Sequence, residues 1–223
     1  VLSALVEKVP IFINHWEGGS KHNAIPRGVI VKFAILKEKE DLFESVYERI
    51  TAIIKNYYHE FEENLSITLE KEQEFPVFLQ AESQKLIYFL HQIPHGAINY
   101  SPLIEDLVET SNNVAIIKTN ENQIRIICSS RSNLDTELVN FRRRLRQLGA
   151  IFDWNIEQEP AYPSWTPNPK SKLLEFVKQQ FSKALGKVPN IKAIHAGLEC
   201  GVIGSKIDGL QMVSIGPIVE NPH

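Results

Sequence analysis

Two β-branched runs, 114–119 and 123–129, face each other across Asn120-Glu121-Asn122. A short polar link between two extended runs closes a β-hairpin, and a hairpin commits its surroundings to an antiparallel sheet. The segments before it carry both periods. Residues 11–16 and 27–36 have strand character, with Val29, Val31, Phe33 and Ile35 alternating, and Glu17-Gly-Gly-Ser20 supplies a turn between them. Residues 40–61 repeat Leu42, Val46, Ile50, Ile53, Ile54 and Tyr57 at helical spacing, and 78–91 form a second helix ending near Pro94. A further strand is expected at 65–69, a helix at 135–148 stopped by Gly149, and a short strand at 151–156. The predicted class is α+β, an antiparallel sheet with helices on one face.

Pro160, Pro163, Pro167 and Pro169 then fall within ten residues and mark a domain boundary. Beyond them the pattern predicts a helix at 171–185, a strand at 191–195, a Gly-rich turn at 197–204 and a strand at 212–215. That alternation is of the α/β type. The expected division is 1–158 and 159–223. The first residue is Val, and Leu2, Leu5, Val6 and Val9 open directly in an amphipathic pattern with no cap. The last strand-like run stops equally abruptly, so a fragment is expected.

The 223 residues are enough for one large or two smaller domains, and a net charge of −3 gives no global attraction to nucleic acid or an acidic membrane. Cys128 and Cys200 form no C-x-x-C pair, which fits a reducing, cytoplasmic compartment. Residues 1–10 lack the basic lead and cleavage site of a signal peptide, and no apolar run approaches the roughly 20 residues of a membrane helix. The run Arg142-Arg-Arg-Leu-Arg146 lacks interleaved aromatics, and Glu62-Glu63 ends a long helix; both read as solvated faces.

The most specific segment is Ala193-Ile-His-Ala-Gly-Leu-Glu-Cys-Gly201. A strand would deliver His195, and small residues would turn the chain to present Glu199 at the strand's carboxyl end, where open α/β sheets bind ligands. From spacing alone, a buried histidine beside an exposed loop glutamate is the slightly more economical reading. Cys200 has no evident base beside it, so no nucleophile is assigned.

The segment His195-Ala-Gly-Leu-Glu-Cys-Gly201 resembles a motif of the aminoacyl-histidine dipeptidases, also called Xaa-His dipeptidases or peptidase D. These belong to the di-zinc aminopeptidase, carboxypeptidase and aminoacylase superfamily. Asn23-Ala-Ile-Pro-Arg27 resembles the start of that family's lid domain, Val108-Glu-Thr-Ser111 its middle, and Ser130-Arg-Ser132 the end of its hairpin. Tyr162-Pro-Ser-Trp165 resembles the return to the catalytic domain, and 212–217 with Pro222-His223 the approach to a zinc ligand. His22, Gly28, Ser164 and Asn221 stand where the family usually has Arg, Glu, Gly and Gly.

The resemblance implies a lid or dimerisation domain over 1–158 and part of an α/β catalytic domain over 159–223. It implies a hydrolase of short peptides, with two zinc ions activating water in the complete enzyme. His223 matches a zinc ligand. The other ligands and the general base are expected before Val1, so this chain carries no catalytic residue of its own. Glu199 would bind the substrate's α-ammonium, with His195 orienting it or lining the cleft. Arg131 would grip the terminal carboxylate bidentately from a rigid hairpin strand, and Asn23 would add a hydrogen bond. In a homodimer joined through the lid, Asn23 and Arg131 would complete the partner's site. A non-catalytic dimerisation or binding module is the alternative. An aminoacylase or tripeptidase is a third reading, and the Gly-Leu-Glu-Cys-Gly segment argues against it.

Overall fold

The computed structural model describes residues 1–72, 75–120, 123–166, 168–191 and 199–216. The strands are β1 (Ile11–Gly18), β2 (Val29–Ile35), β3 (Gly96–Tyr100), β4 (Val108–Asn120) and β5 (Gln123–Ser132). The helices are α1 (Leu2–Leu5), α2 (Glu40–Tyr58), α3 (Gln80–Gln92), α4 (Asp135–Ile151), α5 (Lys172–Leu185) and α6 (Glu199–Gly204), with a 3-10 turn at Lys37–Lys39. Two compact units result: Val1–Pro94 with Asn113–Ser129 and Leu145–Asn155, and His95–Asn112 with Ser130–Arg144 and Ile156–His223. No helix among the described residues is long and apolar enough to cross a membrane.

In the first unit β1 is central. It pairs antiparallel with β2, from Ile11↔Ile35 to Gly18↔Val29, and with β4 through Glu17↔Lys118 and Gly18↔Ile117. The expected antiparallel sheet with helices is therefore what forms. Ile11 and Ile13 alternate into the core, where they are fully buried with Leu5, Val9, Leu86 and Ile87. Each such side chain stabilises the fold by about 1.5–3 kcal/mol relative to exposure. Helix α3 packs on β1, and α1 on α2 and α3. Phe89 of α3 stacks on Trp154 at 4.8 Å.

The register of β1 against β2 slips between Ile13 and His15, leaving Asn14 as a bulge. Neighbouring groups absorb the disruption. The Ile13 amide donates to the fully buried Ser83 hydroxyl at 2.8 Å, Phe78 N–H donates to Ile13 C=O at 2.7 Å, and Asn14 Nδ2 donates to Pro76 C=O at 2.6 Å. Ser83→Ala would strand the Ile13 amide and is expected to cost about 1–3 kcal/mol. The measurement is a lower urea midpoint at unchanged slope; an unchanged midpoint would mean the amide has another acceptor.

In the second unit β3 pairs antiparallel with the first residues of β4, from Gly96↔Asn112 to Tyr100↔Val108. Thr110 and Asn112 are buried, and hydroxyls serve them: Ser132 Oγ lies 2.9 Å from Thr110 Oγ1, and Ser130 Oγ donates to Asn112 Oδ1 at 2.8 Å. Helix α5 is capped by Ser171, whose hydroxyl accepts from Leu174 N–H, and ends at Gly186 in the left-handed region.

Several expected elements differ. Residues 65–69 and 212–215 form no strand, because alternation makes a strand only where a neighbour takes its backbone hydrogen bonds. Gly149 does not stop α4, which continues to Ile151. Asp153 takes the left-handed turn instead, at φ 59°, and Trp154 N–H returns to Gly149 C=O at 2.8 Å. No strand forms over 151–156 for the same reason. Residues 199–204 are helix rather than turn. The expected strand at 191–195 lies, beyond Ile191, outside the described residues.

Candidate functional site

Arg131 sits near the end of β5, half-buried, between two residues that fasten the strand. Ser130 and Ser132 share one face, where their hydroxyls meet β4, so the alternation of the strand turns Arg131 the other way. Asn133, nearly buried, donates its amide to Glu109 C=O at 2.9 Å and Nδ2 to Val108 C=O at 3.3 Å. The backbone on both sides of the guanidinium stem is thereby fixed. Among the described residues Arg131 forms no ion pair, which leaves its cation free to meet an anion.

The end of β5 also holds the segment 162–166. Asp135 Oδ1 accepts from Ser164 N–H at 3.2 Å and from Ser164 Oγ at 2.7 Å, and Thr166 Oγ1 donates to Asn133 C=O at 2.9 Å. Helix α6 lies against that segment, since a Cβ on Gly201 would stand 2.4 Å from Pro163 C=O. Glu199, exposed, is the first residue of α6. The second unit thus ties a cation and a carboxylate, Arg131 and Glu199, to one short segment. They form no ion pair with each other.

Asn23 belongs to the first unit, exposed in the turn between β1 and β2. His195 and His223 lie outside the described residues. Glu62 and Glu63 are exposed, as expected of a solvated face, and with Lys55, His59 and Leu65 they line a shallow hollow of about 360 Å³. A hollow of about 690 Å³ in the first unit, lined by Ser3, Glu7, Tyr88, His91 and Phe152 among others, contains none of the candidate residues. Arg143 and Arg144 are exposed, while Arg142 donates to Glu159 C=O. Cys128 and Cys200 are both half-buried and are not joined in a disulfide.

The described residues do not make a zinc site. Among them no group of three or more His, Cys, Asp or Glu is placed to hold a metal, and a catalytic zinc normally takes about three protein ligands. No reaction step is therefore derived through the metal from these residues. The sequence did not point to Asp135 or Gly201 as the residues that hold segment 162–166 in place.

Residues 2–62 match a family described as a peptidase dimerisation domain. The whole chain is 33% identical, over 223 residues, to the cytosol non-specific dipeptidase of Escherichia coli strain K12, and spans 46% of that protein's length. The chain is homologous to about half of a dipeptidase. The crystal structure of an aminoacylhistidine dipeptidase from Vibrio alginolyticus superposes with a TM-score of 0.84 and 30% identity, covering 92% of this chain and 42% of that one. The dipeptidase resemblance read from ordered short motifs therefore holds along the chain. The antiparallel sheet with helices is the architecture that the dipeptidase relative shares.

Proposed function

We propose that the chain is part of a zinc-dependent dipeptidase that hydrolyses short peptides, specifically Xaa-His dipeptides, with metal-activated water. Residues 1–158 would form its lid and dimerisation domain, and 159–223 the last part of its catalytic domain. The reading is carried by similarity along the whole chain to a dipeptidase, and the Vibrio alginolyticus relative, named as an aminoacylhistidine dipeptidase, supports the histidine preference. Zinc would lower the bound water's pKa and polarise the carbonyl, with His223 the one ligand supplied from these residues.

Glu199 would take the substrate's α-ammonium, His195 would orient it or line the cleft, and Arg131 would take the terminal carboxylate, with Asn23 adding a hydrogen bond to that carboxylate or to the scissile amide. The match of 2–62 to a dimerisation domain supports a homodimer. So does β2, which among the described residues pairs only with β1 and leaves Val29 and Ile30 more than half exposed at the sheet edge. Asn23 and Arg131 would then serve the partner's site. The cytosol is the proposed compartment, after the name of the Escherichia coli relative.

The full-length protein is expected to cleave an Xaa-His dipeptide, to lose that activity on chelation and to regain it with zinc. A folded, zinc-loaded protein that leaves the dipeptide intact would make the chain a dimerisation module without chemistry.

A further inference from the structure

We propose that Asn113 is a positioning residue for Asn23, fastening the loop between β1 and β2 to strand β4 in the geometry in which Asn23 meets the substrate. The inference rests on the reading of Asn23 as a substrate-binding amide.

Residues 19–28 have little structure of their own. Their internal backbone bond is a weak one, Ala24 N–H to Lys21 C=O at 3.3 Å. Ile25 is 74% exposed, and a Cβ on Gly28 would meet nothing within 4 Å. A loop so bare would present Asn23 in many orientations, and the loss of that freedom on binding weakens affinity. Two contacts with β4 remove it. Gly19 passes so close to the strand that a Cβ would stand 1.9 Å from Ala115 C=O. Asn113 Nδ2 donates to Ala24 C=O at 2.8 Å. Asn23 lies between the two anchors and one peptide from the second, and adjacent Cα atoms are held about 3.8 Å apart.

The amide of Asn113 is oriented without ambiguity, because a carbonyl accepts and only the nitrogen donates. Its oxygen is buried without a hydrogen-bond partner among the described residues. An unpaired buried acceptor costs stability, and an apolar side chain of similar shape avoids that cost. Packing alone therefore gives no reason for asparagine here. The bond to the loop does.

The test uses the full-length protein. Asn113→Leu, close to isosteric, is expected to raise KM for a free dipeptide about fivefold, with kcat within about twofold and a thermal midpoint equal to or above the parent's. In an Asn23→Ala background the same change should raise KM no further, since its effect runs through Asn23. Should Asn113→Leu fail to fold, Asn113→Asp replaces the donor with an acceptor of the same size and carries the same expectation for KM. If Asn23→Ala raises KM while the Asn113 variants do not, or the effects add, Asn113 does not position Asn23. If Asn23→Ala itself leaves KM unchanged, the reading of Asn23 fails first and this one with it.

Discussion

Replacing Arg131 by alanine in the full-length protein is expected to raise KM for a free dipeptide about thirty- to hundredfold, leaving kcat within a few fold. A half-buried guanidinium gripping a carboxylate makes two charge-assisted hydrogen bonds. Truncating one partner of such a pair costs about 2–3 kcal/mol, the lower part of the range for desolvated pairs, and each 1.4 kcal/mol is tenfold. Among the described residues the arginine is committed to no other charge, and Ser130, Ser132 and Asn133 hold its strand on both sides. Little reorganisation is therefore needed when a ligand arrives. The decisive control is the same dipeptide with its terminus amidated. Parent and variant should bind that substrate almost alike, because the carboxylate proposed to meet Arg131 is gone. A KM ratio equal for both substrates would assign Arg131 a purely structural part.

Gly19→Ala is expected to destabilise the first unit by about 2–4 kcal/mol. Two physical terms act together. The residue has φ 75°, where any side chain strains the backbone, and the added Cβ would overlap the Ala115 carbonyl, a backbone atom that no rotamer change removes. Relief requires the β1–β2 connection to lift off β4. The expected readings are a lowered urea midpoint and faster amide exchange in residues 19–28. Gly28→Ala supplies the contrast: a Cβ there meets nothing within 4 Å, so the midpoint should stay within about 0.5 kcal/mol of the parent. Equal effects at the two glycines would contradict the close approach seen at Gly19.

What the sequence revealed follows from where hydrophobic period and hydrogen bonding agree. Helix α2 and the 123–129 half of the hairpin carry strong periods and form as expected. Strand β3 was missed because it is short and mostly exposed, and the start of β4 because its buried positions are polar. Thr110 and Asn112 are each about 1% exposed, satisfied by serines on β5, and such a face leaves no apolar alternation to detect. Residues 65–69 fail in the opposite way: alternation is present, and among the described residues a partner strand is not. Gly149 has the composition of a helix stop, yet the chain continues past it because Asp153 accepts the left-handed turn.

The candidate site divides similarly. Arg131 and Glu199 were legible as residue types in ordered motifs, and the end of β5 is the rigid mount expected for Arg131. The fastenings were not legible. Asn113 and Ala24 are 89 positions apart, and Asp135 and Ser164 are 29 apart. Such pairs carry no local spacing signal, so they become visible only once the strands are laid side by side.

The proline-rich stretch reads in composition as an extended, stiff domain boundary, and its middle is also riveted. Ser164 is clasped twice by Asp135, Thr166 is fastened to Asn133, and Pro163 abuts Gly201. A tether absorbs motion, whereas a riveted strut transmits it. A push on α6 would therefore be passed through 163–166 toward the end of β5, linking the position of Glu199 to that of Arg131.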